Sequence, residues 1–163
     1  MYDDFRKAAV SATLNIFETM FFTFLELNDF PEGDASGQPG LTLEMSSAMV
    51  LRSEIPFSGN RNGVLRLFLP YDLSESLAMN FLGFEDEVTE AQILDMASEL
   101  SNMICGNLFS LLDKTAVFIL GSPLTEKLTS QEAMERPNEA DITLNFQTEG
   151  QSVFLQLHLH PSS

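Results

Sequence analysis

Apolar residues along this chain recur with two different periods, and the changes of period divide it into elements. Ala9, Ala12, Ile16, Met20 and Phe24 follow one another in steps of three and four, with Phe17 and Phe21 on the neighbouring row. That spacing predicts an amphipathic helix from about Asp4 to Leu27. Residues 31–40, dense in Gly, Pro, Asp and Ser, predict a loop. Strand material follows. Met45, Met49, Leu51 and Ile55 share one side, interrupted by Ser47 and Ser53, and a turn region covers 56–63. Leu65, Leu67 and Leu69 then face one way in a strand that Pro70 ends. A short helix capped by Asp72 or Ser74 carries Leu73, Leu77, Ala78, Phe81 and Leu82, and Gly83 stops it. Thr89-x-x-Gln92 has the form of a capping box, so a long helix starts near Glu90 and runs to about Asp113. Residues 116–120 read as a short strand stopped by Gly121-Ser122-Pro123, and 125–139 as a polar loop with room for one helical turn. The chain closes on a hairpin: Ile142, Leu144 and Phe146 alternate with polar residues, and beyond Thr148-Glu149-Gly150 Val153, Leu155, Leu157 and Leu159 alternate with Phe154, Gln156, His158 and His160.

Strands that alternate, grouped apart from the helices, predict an α+β fold: an antiparallel sheet packed against long helices, with its other face left for solvent or a partner. A chain of 163 residues suits one domain spanning 1–163.

The long helix has a feature beyond its core stripe of Ile93, Ala97, Leu100, Ile104, Leu108 and Leu111. Asp95, Glu99, Asn102 and Gly106 are spaced i, i+4, i+7 and i+11, which makes a second stripe down one face. It carries two carboxylates, a carboxamide and then no side chain. Glu99 and Asn102, three apart, reach toward one point. The carboxamide can hold a water with one donor and one acceptor, and the carboxylate can pair with a partner's lysine. Gly106 permits either close approach by a partner or close packing within the chain.

Composition narrows the partners. Lys and Arg number 8 against 24 Asp and Glu, a net charge of −16. That disfavours nucleic acid and anionic membrane surfaces, and suits a partner with a basic rim. Residues 20–25 are too few to insert across a membrane, and the first residues lack the basic and apolar regions of a secretory signal, so a cytoplasmic protein is expected. The single cysteine, Cys105, lies in apolar helix and reads as a small core residue.

Asp95-x-x-x-Glu99-x-x-Asn102, followed by Pro123 with twenty residues between, resembles the signature of the CheC/CheX/FliY phosphatases of bacterial chemotaxis. Asn102-Met103-Ile104-Cys105-Gly106-Asn107 and Asn15-Ile16-Phe17-Glu18-Thr19-Met20 are similar to runs of the CheX branch. The resemblance implies that the chain dephosphorylates the phosphoaspartate of a CheY-like response regulator. Mg²⁺ is then expected on the receiver domain, with no cofactor on this chain. It also implies that Asn102 orients the attacking water and Glu99 binds the receiver's lysine, while Asp95, Gly106 and Pro123 serve docking or structure. One motif copy matches CheX, whose members are similar in forming homodimers. A non-catalytic adaptor of the same fold, binding a receiver or a flagellar switch component, is the alternative. His158 and His160 have a metal-compatible spacing without a third ligand, and Glu18 reads as a partnered, half-buried acid.

Overall fold

The computed structural model describes residues 2–28, 49–83, 87–112, 117–134 and 140–160. The elements are α1 (Tyr2–Phe21), β1 (Glu26–Leu27), β2 (Met49–Gly59), β3 (Gly63–Pro70), α2 (Tyr71–Leu82), α3 (Glu90–Leu112), β4 (Phe118–Leu120), β5 (Leu124–Thr129), α4 (Ser130–Met134), β6 (Ile142–Thr148) and β7 (Gln151–Leu159). The expected 31–40 loop, residues 45–48 and Asp113 lie outside the described residues.

The strands form one antiparallel sheet in the order β1-β6-β7-β3-β2-β4. β4 and β5 share the outer edge of β2, β4 against Phe57–Gly59 and β5 against Met49–Glu54. This is the expected α+β arrangement. Alternation decides which side chains face the helices. Leu51 and Ile55 of β2, Leu65, Leu67 and Leu69 of β3, and Leu155 and Leu157 of β7 are buried in one core with α1 and α3, which pack side by side. The opposite face is not simply polar. Val50, Phe68 and Phe154 form a smaller cluster there with Ala133 of α4. Beside it the buried Arg52 donates to Glu126, and Arg66 pairs with Glu54 at 3.1 Å.

Local signals explain several boundaries. The capping box forms: Thr89 N–H donates to Gln92 Oε1 at 2.9 Å and Gln92 N–H to Thr89 Oγ1 at 3.2 Å. Gly83 ends α2 in the left-handed region, φ 72°, with its N–H on the Met79 carbonyl.

The structure corrects five expectations. First, α1 stops at Phe21 rather than Leu27, because the chain turns away to lay β1 beside β6. Phe24 therefore leaves the core row and is 72% exposed, and Met20, in the last turn of α1, is also exposed. Second, Glu18 is exposed. Third, Leu111 is exposed, at the rim of a cleft of about 660 Å³ between the first turns of α1 and the β2–β3 turn. Fourth, neither Asp72 nor Ser74 caps α2. Pro70 occupies that position, and the Ser74 hydroxyl donates back to its carbonyl at 2.9 Å. Fifth, the start of the expected 125–139 loop is the strand β5; the one helical turn allowed there is α4, and 135–139 lie outside the described residues. The polar composition of β5 misleads because Thr125, Glu126 and Lys127 meet the polar partners Ser53, Arg52 and Glu90, and Leu128 alone packs on the smaller apolar cluster.

Candidate functional site

Asp95, Glu99, Asn102 and Gly106 lie along one side of α3, as the spacing requires. Asp95 and Glu99 are exposed, and Asn102 and Gly106 are half-buried. Seven residues of helix rise make the stretch from Asp95 to Asn102 roughly 10 Å long. Among the described residues no hydrogen bond or ion pair engages the side chains of Asp95, Glu99 or Asn102. Two carboxylates four residues apart repel, at about 0.2–0.5 kcal/mol on a helix. A mid-helix glycine costs about 1 kcal/mol relative to alanine. The stripe is thus unfavourable locally and gains nothing from pairing with other described residues. Its charges and its amide are free to meet another molecule.

Gly106 resolves one of the alternatives left open by the sequence. A Cβ built there would meet only Leu120 Cδ1, at 4.0 Å. Packing within the chain does not require glycine, so the missing side chain leaves room on the outside. Gly121 is the opposite case, since a Cβ would lie 2.6 Å from Pro56 Cγ. Its N–H donates to the Pro56 carbonyl at 2.8 Å. Pro123 follows, half-buried in the bend that leads into β5. It does not join the stripe directly; it shapes the approach to a strand on which α3 rests.

That contact between α3 and the sheet is the part of the site that sequence reasoning missed. Thr125 Oγ1 donates to Ser53 Oγ at 3.0 Å, and Ser101 Oγ donates to the Ser98 carbonyl at 3.0 Å. A hydroxyl has one proton. Thr125's is therefore spent on Ser53, and Ser98 must be the donor in its 2.6 Å bond with Thr125. By the same reasoning Ser53 donates to Ser101 across 2.8 Å. The result is a closed circuit from the Ser98 hydroxyl through Thr125, Ser53 and Ser101 back to the Ser98 carbonyl. Ser53 and Ser101 are buried, at 1% and 0% exposure. The circuit joins β2 and β5 to the turn of α3 that carries Glu99 and Asn102. Its signal was present in the sequence: Ser53 interrupts an apolar strand face, and Ser101 adjoins the core stripe.

A second tie holds the start of α3. Lys127 Nζ lies 3.1 Å from Glu90 Oε1 and 4.2 Å from the centre of the Tyr71 ring. The hydrogen bond to Glu90 holds its ammonium pKa above the usual lysine value. Cys105, on the buried side of α3, has its thiol pushed up to about 12 by burial, which rules it out as a nucleophile at neutral pH. His158 Nδ1 is 3.7 Å from Asp141 Oδ2, and its ring meets that of His160 edge-on. Among the described residues no group of three His, Cys, Asp or Glu could hold a metal ion. No helix there is long and apolar enough to cross a membrane.

An antiparallel sheet with two long helices on one face and a free polar stripe on one of them defines a CheC-like fold. A CheC-like superfamily protein from Shewanella sp. PV-4 superposes with a TM-score of 0.75 at 18% identity, covering 99% of this chain and 100% of that one. Chemotaxis protein CheX from Vibrio vulnificus gives 0.71 at 16% identity, covering 96% of each chain. The Borrelia burgdorferi chain solved in a CheX–CheY–BeF₃–Mg²⁺ complex gives 0.66 at 14%, covering 95% of this chain and 97% of that one. No curated protein matches the sequence. The family model for the chemotaxis phosphatase CheX matches residues 51–147, more than half of the chain and the whole of the stripe. The chain belongs to the CheX family.

Proposed function

We infer that this protein, as a single CheX-like domain, hydrolyses the phosphoaspartate of a CheY-like response regulator. The observation that carries this reading is the stripe: a free carboxylate and a half-buried, unengaged carboxamide one turn apart. They stand on the outer face of α3, whose other side is tied to the sheet by the hydroxyl circuit. A polar stripe along a helix surface suits contact with another protein better than capture of a small molecule, which needs a concave pocket.

In this reading Glu99 pairs with the receiver's lysine and sets the register of docking. Asn102 enters the receiver's site, and its amide holds a water in line with the phosphorus. The water oxygen bonds to phosphorus as the bond to the aspartate oxygen breaks. The products are inorganic phosphate and the free carboxylate. The receiver holds its own Mg²⁺, so this chain supplies position rather than covalent chemistry. A hundredfold acceleration requires about 2.7 kcal/mol, within the reach of water positioning. Asp95 adds charge at the rim, and Gly106 lets the partner's backbone approach. The same resemblance suggests a cytoplasmic homodimer, which sedimentation equilibrium would test.

The deciding experiment measures phosphate release from a phosphorylated CheY-like receiver with Mg²⁺, with and without this protein. Wild type should accelerate release. Asn102→Ala should lose the acceleration yet still bind the receiver, and Glu99→Ala should weaken binding. Binding with no acceleration across several receivers would replace the phosphatase by the adaptor of the same fold.

A further inference from the structure

A second surface lies where α1 ends. Phe22 and Phe24 are each 72% exposed. Phe22 adopts φ 54°, the left-handed conformation that glycine usually supplies at a helix end. For a bulky side chain this is strained. The bend is held by Asn80 of α2, whose Nδ2 donates to the Phe21 carbonyl at 2.9 Å, and by Thr23 N–H on the Phe17 carbonyl at 2.9 Å. The ring presented by this bend is not buried in return.

Phe22 and Phe24 edge a cleft of about 650 Å³ whose other walls are α2 and the β6–β7 turn. Glu26, Asp72 and Glu149 line it, and no Lys, Arg or His does. Glu149 has φ 48° at the first position of a two-residue turn with Gly150, a place that asparagine fills more easily. Phe22 and Glu149 are the only non-glycine residues with positive φ among the described residues, and both line this cleft. No residue of the Asp95–Asn102 stripe does.

We propose that this cleft docks a peptide segment of a partner protein carrying lysine or arginine beside an apolar anchor. Three carboxylates complement its cations, and exposed phenyl faces attract cations while covering apolar side chains. A second copy of this chain is a poor occupant of this cleft, because its acidic surface would meet these three carboxylates, so the homodimer suggested above would use another face. The same charge repels anionic lipid and nucleic acid.

The test is fluorescence anisotropy with a short fluorescein-labelled peptide of alternating lysine and leucine, and a glutamate–leucine peptide as control. The lysine peptide should bind, more weakly as salt rises, and the control should not. Phe22→Ser with Phe24→Ser, and separately Glu26→Gln with Glu149→Gln, should each weaken binding about tenfold or more. Asp3→Asn with Glu87→Gln removes as many charges from exposed positions outside both the cleft and the α3 stripe and should leave binding unchanged. Phe22→Gly removes the ring while relaxing the backbone, so it should weaken binding in a protein at least as stable as wild type. Equal weakening by both charge-removing pairs would overturn the proposal in favour of diffuse attraction to an acidic surface. Absence of binding would also overturn it, as would a dimer in sedimentation equilibrium that Phe24→Ser dissociates. None of these outcomes bears on phosphate release.

Discussion

Ser53→Ala should destabilise this protein far more than the loss of one small side chain suggests. Ser53 is 1% exposed and stands mid-circuit, accepting from Thr125 and donating to Ser101. The substitution leaves the Thr125 donor without its acceptor and Ser101 without its donor. A neutral hydrogen bond contributes about 0.5–1.5 kcal/mol net, and a buried polar group left unmet costs about 1–3 kcal/mol. Two bonds lost, partly offset where half-buried Thr125 finds water, give about 2–3 kcal/mol. For a chain of this size that lowers Tm by about 4–12 °C. Thermal unfolding followed by circular dichroism reads the shift directly. Ser53→Ala combined with Thr125→Val removes the orphaned donor, so the pair should cost less than the sum of the single changes. A Tm lowered by less than about 1 °C in Ser53→Ala would refute the circuit as a structural unit, and strict additivity would refute the Ser53–Thr125 bond within it. In the phosphatase reading proposed above, Ser53→Ala should also slow receiver dephosphorylation at temperatures where it stays folded, because the circuit sets the turn of α3 that bears Glu99 and Asn102. A displacement near 1 Å at a positioning residue can cost about a hundredfold.

Three further outcomes are expected. Gly106→Ala should raise stability by about 0.5–1 kcal/mol in a chemical melt, since the helix gains propensity and the new methyl meets only Leu120, yet it should weaken receiver binding. Gly121→Ala should destabilise by about 1–3 kcal/mol, because its Cβ falls 2.6 Å from Pro56 Cγ and disturbs the bend into β5. Cys105 should resist a thiol-specific reagent at pH 8 until the protein unfolds. Its raised pKa also means that the native state keeps a proton which the unfolded state releases. Stability should therefore fall as pH climbs from 9.0 toward about 12, by up to about 1.4 kcal/mol per unit. Cys105→Ala should remove that part of the slope in urea melts at several pH values.

The parts of this structure legible in the sequence are those governed by neighbours in the chain. Thr89-x-x-Gln92 marks a helix start because its bonds close within four residues, and the same logic was available in Thr129-x-x-Glu132. There Thr129 N–H donates to Glu132 Oε1 at 3.1 Å, and Glu132 N–H returns a bond to Thr129 Oγ1 at 3.0 Å. The sequence allows one helical turn there, but it hides the strand just before it, because β5 lacks a continuous apolar face. Leu124, Glu126 and Leu128 alternate with Thr125 and Lys127, and the last two meet Ser53, Ser98 and Glu90 instead of a greasy core. Such a strand is recognisable only once its partners are in place.

By itself the sequence determined the α+β class, the core of the sheet, the closing hairpin and the face of α3 on which Asp95, Glu99 and Asn102 stand. Period alone decides these, since 3.6 and 2 residues per repeat assign each side chain to a face. Only the tertiary structure decided what lies behind that face and where α1 ends. The hydroxyl circuit links residues 53, 98, 101 and 125, which no local pattern connects. The bend at Phe22 follows from β1 pairing with a strand more than a hundred residues away. Long-range pairing overrides propensity at both places, because hydrogen bonds and burial gained between distant segments outweigh the small local preferences that a sequence displays.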